Sequence, residues 1–175
     1  MGTPTQSPLL RLPAELRNRI YQEILSEIEQ PIRLTTTRQS PSVLSVCHQI
    51  CEEGSGLFYS TATFQFTDPS ICLRFLENLS HEHRKLVQEI RYDCSETCSD
   101  PTSWKRAFLD LPGLDEYVKI SRLRNRLAEN SISLADHVLK AGIKINGRLV
   151  WTDDPLSEAR DAVQNGSLVG RVMFV

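Results

Sequence analysis

Residues 61–92 read TATFQFTDPSICLRFLENLSHEHRKLVQEIRY. From Thr61 to Thr67 the residues are β-prone and alternate, with Phe64 and Phe66 on one side, which predicts a strand. Asp68-Pro69 then opens a helix, because Pro fits a first turn, and Ile71, Leu73, Phe75, Leu76 and Leu79 form its core face. Val87 to Tyr92 is a second strand. Trp104, Phe108 and Leu109 sit on a following helix, and Tyr117 to Ile120 reads as a third strand. The strand centres Phe64, Ile90 and Tyr117 lie 26 and 27 residues apart. Strand and helix alternating at that period imply parallel βαβ units joined by right-handed crossovers. A leucine-rich solenoid has a similar period, but its Leu-x-x-Leu-x-Leu pattern is missing, so the repeat is degenerate at best.

On the N-terminal side, residues 1–8 are polar and Pro-rich and read as a flexible tail. Leu12-Pro13 leads into a helix in which Leu16, Ile20, Tyr21, Ile24, Leu25 and Ile28 form a broad stripe expected to be buried. Glu15–Arg19 and Arg19–Glu23 stand four apart on its wetter side, each pair worth a few tenths of a kcal/mol. Pro31 stops this helix, and residues 35–41 read as a loop. Ser42 caps a second helix carrying Val43, Leu44, Val46, Cys47, Ile50, Leu57 and Phe58, with Gly54-Ser55-Gly56 as its breaker.

On the C-terminal side, Ser121 caps a helix with Leu123 and Leu127, and Ser133 begins another that ends at Gly142. Ile143 to Ile145, Asn146-Gly147 and Arg148 to Trp151 form a hairpin, because Asn-Gly supplies the two positive φ angles of a type I′ turn. Asp154-Pro155 starts a helix through Ala159, Ala162 and Val163, and residues 168–175 read as a last strand in which the chain stops. The expected fold is mixed α/β. A helical module over 9–60 leads, followed by a βα region over 61–175 with a C-terminal hairpin, helix and strand, all packed as one compact unit.

The chain has 175 residues, 40% hydrophobic and 24% charged, enough to build a core without disulfide or metal staples. Twenty Lys and Arg face 22 Asp and Glu, so no field of one sign draws in nucleic acid or an anionic membrane. The run from Lys119 to Arg126 is basic but lacks aromatic platforms, and it reads as a solvated helix face. No apolar run reaches the ~18 residues of a membrane span, and no basic-then-apolar leader opens the sequence. An odd count of five cysteines without that leader reads as reduced thiols in cytosol or nucleus.

Catalytic patterns are missing. Eight glycines form neither G-x-G-x-x-G nor a P-loop, and no G-x-S-x-G occurs. Cys47 and Cys51 share a helical face near His48, the one place where zinc or Cys/His chemistry has a foothold. Free Cys in an apolar helix is more often a small core residue, and adjacent Cys47 and His48 point about 100° apart, against a nucleophile–base pair. His81 and His83 flank a polar junction with both rings expected in water, and His137 reads as a surface residue. No cofactor, metal or catalytic residue is expected; the competing reading is a Cys/His or zinc enzyme around Cys47, Cys51 and His48.

Ser-Pro-Leu-Leu-Arg-Leu-Pro-Ala-Glu-Leu-Arg-Asn-Arg-Ile-Tyr-Gln-Glu-Ile-Leu over 7–25 resembles the start of a large group of fungal F-box-like proteins. Pro-Ser-Val-Leu-Ser-Val-Cys-His-Gln-Ile-Cys-Glu-Glu over 41–53, Leu57 to Ser60 and Phe64 to Phe66 extend the resemblance to about a third of the chain. It implies a helical N-terminal module followed by βα units. Through genuine F-boxes it also implies docking on a Skp-type adaptor of a cullin ubiquitin ligase and recruitment of a protein substrate. Carried over residue by residue, Leu12, Pro13, Leu16, Ile20, Val46 and Cys47 would be the partner-binding or supporting positions. An amphipathic helix with an exposed apolar edge is the kind of element that lies in a partner's groove. A family member with no retained activity is the remaining alternative.

Overall fold

The computed structural model describes residues 7–28, 30–35, 40–94, 113–145 and 148–165. Its centre is a five-stranded sheet in the order β1-β2-β3-β4-β5, built from Ile32–Arg33, Thr63–Phe66, Glu89–Tyr92, Leu139–Ile145 and Arg148–Thr152. The first four strands are mutually parallel, and β5 returns antiparallel on β4. Helices α1 (Ala14–Ser26), α2 (His48–Thr61), α3 (Pro69–Asn78), α4 (His81–Leu86), α5 (Leu114–Glu129) and α6 (Pro155–Gln164), with two 3₁₀ helices over Pro8–Arg11 and Ser42–Ser45, complete the described elements. The fold is mixed α/β, as the alternation of strand and helix predicts. No helix among the described residues is long and apolar enough to cross a membrane.

Alternation fixes which sheet face is greasy. Phe64 and Phe66, Ile90 and Tyr92, and Leu139 and Ala141 are each two apart, so they share one face. Tyr21 and Leu25 of α1, Phe58 of α2, Leu76 of α3 and Ile120, Leu123 and Leu127 of α5 join them in one hydrophobic cluster. Phe58 meets Phe64 edge-on at 5.7 Å between ring centroids, and Phe66 stacks on Tyr92 at 4.8 Å. Truncating Phe58 to Ala would cost about 3–5 kcal/mol. The caps are local. Asp68 accepts from the Ser70 N–H at 2.8 Å, Ser80 from His83 at 3.2 Å and Asp154 from Ser157 at 3.2 Å.

Several expectations are corrected. Tyr117 to Ile120 is not a strand but lies within α5: Ile120, Leu123 and Leu127 are all buried at helical spacing, and that period outweighs a four-residue β-prone run. Ser121 is consequently interior to α5 rather than its cap. Asp115 and Glu116 occupy the first turn, where they favour the positive helix end.

The helix expected from Ser133 to Gly142 is replaced by a turn and β4. Gly142 is no helix cap; it faces Trp151 across the β4–β5 pair, and a Cβ there would lie 2.9 Å from the indole. The second helix starts at His48, because Ser42–Ser45 form a separate 3₁₀ helix, and Cys47 is its N-cap rather than an interior residue. Gly54-Ser55-Gly56 does not break α2. Gly54 is buried beneath the Leu44 side chain, whose Cδ2 would have to give way to a Cβ there. The two-residue strand β1 is too short to show a period.

The hairpin stands, with Ile145 opposite Arg148 across a two-residue connection. Of the tail expected over 1–8, residues 1–6 lie outside the described residues, while Pro8 already opens a 3₁₀ helix, Pro8–Arg11. The helix with Trp104 and Phe108, the turn residues 146–147 and the strand at 168–175 also lie outside the described residues.

Two backbone positions generate a paired prediction. Helix α5 ends in a Schellman motif, with Ile132 N–H on the Leu127 carbonyl at 2.8 Å and Ser131 N–H on Ala128 at 3.0 Å. Ser131 therefore carries φ 56°, a left-handed conformation usually given to glycine. Gly113 holds φ 78° at the other end of α5, where an added Cβ would run into the Pro155 carbonyl oxygen at the start of α6. Ser131→Gly should stabilise by up to about 1 kcal/mol and Gly113→Ala should destabilise by about 1–3 kcal/mol, read by urea unfolding. Shifts of the same sign would contradict this account of the α5 ends.

Candidate protein-binding surface

Helix α1 is only partly used by the core. At about 100° per residue, the apolar positions from Leu16 to Leu25 spread over half the helix circumference. Tyr21 and Leu25 are buried at one side of this arc and Ile28 is half-buried. At the other side Leu16 is 45% exposed and Ile24 41% exposed, with half-buried Ile20 between them. The stripe expected to be buried is thus split, because it is wider than the single helix packed against it. Ile24 belongs to the exposed edge, although its place in the apolar stripe pointed to the core.

The six sequence-derived positions divide similarly. Pro13 and Leu16 are exposed, and Val46, at 67%, is the most exposed large hydrophobic residue described. Leu12, Ile20 and Cys47 are half-buried, and Cys47 packs against the core cluster.

A polar network holds α1 to α2. Arg17 donates from Nε and Nη2 to the two carboxylate oxygens of Glu53 at 2.8 and 2.6 Å. Its Nη1 donates to the Leu12 carbonyl at 2.6 Å. Tyr21 Oη and Gln49 Nε2 donate to the same carboxylate at 3.1 and 3.0 Å. A two-pronged guanidinium–carboxylate pair is directional, so it fixes the rotation of α1 as well as its distance from α2. The bond to Leu12 ties the Leu-Pro entry to the same point. Hydrogen bonds from Arg17 first, then Gln49 and Tyr21, pull the Glu53 carboxyl down to about 2 against the opposing effect of burial. The i,i+4 pairs expected at Glu15–Arg19 and Arg19–Glu23 are not formed.

Beside α2, His48, Cys51, Ser55, Tyr59, Asn78 and His83 line an open cleft of about 350 Å³. His83 is half-buried, its ring 4.8 Å from that of Tyr59, so it does not stand in water as expected. His48 is exposed and pairs with Glu52 at 3.4 Å, while Cys51 Sγ lies 3.7 Å from Ser55 Oγ. Among the described residues no three His, Cys, Asp or Glu side chains are grouped to hold a metal ion. Burial pushes the Cys72 and Cys94 thiols up to about 12, which keeps both protonated near neutrality. In the basic run, Arg124 donates to the Asp136 and Asp153 carbonyls at 3.2 Å each, so part of its charge serves loop anchoring.

Comparison with protein-family models, curated proteins and solved structures finds no match for this chain.

Because Glu53 titrates lower in the fold (about 2) than its ordinary 4.5, the folded state binds fewer protons there. Its contribution is present above about 4.5 and is lost as pH falls toward about 2. Glu53→Gln should lower the melting temperature at pH 7, and the gap from wild type should close between pH 4.5 and 2. A gap of constant size across that window would contradict the role given to the carboxylate.

Proposed function

We propose that the chain is a protein–protein interaction module that docks through the exposed edge of α1. The partner that best fits the resemblance of residues 7–67 is a Skp-type adaptor, and the chain would then recruit a protein substrate to a cullin ubiquitin ligase. One observation carries the reading. Leu16, Ile20 and Ile24 recur every fourth residue along one edge, and the two end residues are more than 40% exposed. Scattered exposed hydrophobics need no explanation, but three in line on a helix make an apolar ridge about 12 Å long. Such a ridge fits a partner's groove, with affinity concentrated in a few anchors.

The Arg17–Glu53 network supports the reading in a second way, since a ridge held in a fixed orientation loses less freedom on binding. Pro13 and Val46 are solvent-facing as well. Such a docking role needs no catalytic step and belongs in the cytosol or nucleus.

Calorimetric titration with a fungal Skp-type adaptor tests it. Leu16→Asp and Ile24→Asp should each weaken binding at least about tenfold while leaving the melting temperature within a few degrees, because neither side chain is buried. Failure of the wild-type chain to bind, or binding indifferent to both substitutions, would remove the adaptor reading.

A further inference from the structure

The sheet has a second face, opposite the helical layer. Strands β1 to β4 follow chain order and are all parallel. Right-handed crossovers between such strands bring every connecting helix to the same side. The buried side chains of α1, α2, α3 and α5 accordingly cluster with Phe64, Ile90 and Leu139 on one face. Parallel sheets are almost always covered on both faces, yet here no described helix packs on the other.

That open face is chemically biased. Arg33, Gln65, Arg91 and Lys140 stand in register across four adjacent strands. Lys144 lies on the same face of β4. Glu89 accepts from Arg91 at 2.6 Å and Lys140 at 2.7 Å, and Asp93 accepts from Gln65 at 3.1 Å. Four cations thus face two carboxylates, in a chain whose net charge is −2. Arg33 and Lys144 are exposed, and neither meets a carboxylate among the described residues. Beside Lys144, at the edge of the sheet opposite Arg33, Leu149 of β5 is 45% exposed, and Trp151 lies beneath the Arg91 guanidinium, 5.3 Å from ring to cation.

We infer that this face docks an extended acidic peptide segment of a partner protein, its carboxylates on Arg33 and Lys144 and an apolar side chain against Leu149. Glu89 and Asp93 stand among the cations, so a continuous phosphate backbone meets repulsion midway. Trp151 is already covered by Arg91, so it offers no free platform for a base. A peptide can set uncharged residues opposite Glu89 and Asp93, whereas a nucleic acid carries a phosphate at every nucleotide. The face lies across the sheet from α1 and does not depend on the docking role of that helix.

Fluorescence anisotropy tests this with a labelled peptide of four Glu-Glu-Leu repeats and the full chain. Saturable binding is expected, weakened at least about tenfold in the R33E/K144E double variant, less in R33Q/K144Q, and weakened by added salt. A Lys-Lys-Leu peptide should not bind. No saturable binding of the acidic peptide, equal binding by wild type and both variants, or tighter binding of a twelve-nucleotide oligo(U) would each overturn the inference.

Discussion

Four parallel strands laid down in chain order leave the helices only one side of the sheet. This constraint organises the molecule. The strands turn Phe64, Phe66, Ile90, Tyr92, Leu139 and Ala141 toward the helical layer, and the shared burial there makes one cluster out of elements distant in sequence. The opposite face is left to Gln65, Glu89, Arg91 and Lys140, which alternate with the buried residues and on which no described helix packs. A single topological fact therefore yields a greasy interior on one side and a charged face on the other.

Helix α1 shows the same economy at smaller scale. It contributes Tyr21 and Leu25 to the cluster and leaves Leu16 and Ile24 outside. What prevents the exposed edge from rolling inward is not hydrophobic burial, which has no preferred direction, but the directional bonds of Arg17 to Glu53 and to the Leu12 carbonyl. Apolar burial gives the helix its attachment, and the guanidinium pair sets its orientation.

The parts of this arrangement visible in the sequence are those with local causes. The Phe64–Phe66 and Ile90–Tyr92 strands announce themselves by alternation, the hairpin by Asn146-Gly147, and α3 and α6 by Asp-Pro caps. The third expected strand fails because Tyr117 to Ile120 looks β-prone only when separated from Leu123 and Leu127. Gly142 misleads because its meaning lies in Trp151, on a different strand. Arg17 and Glu53 are 36 residues apart, so no window along the chain reveals their pairing. The one available signal is that Arg17 precedes Tyr21 by a single helical turn, on the side of α1 that turns inward. Leu16, Ile20 and Ile24 all fall in the stripe read as buried, because periodicity shows how wide an apolar stripe is and not how much of it a neighbour covers.

The central claim is that α1 presents its Leu16–Ile24 edge to another protein. Methyl NMR of the full chain, titrated with a Skp-type adaptor, tests it most directly, since isoleucine methyls report separately from the edge and from the core. The account requires Ile20 and Ile24 signals to shift or broaden on complex formation, with those of buried Ile90 and Ile120 unmoved. Perturbation of the buried methyls alone, or an unperturbed spectrum at saturating adaptor, would contradict it.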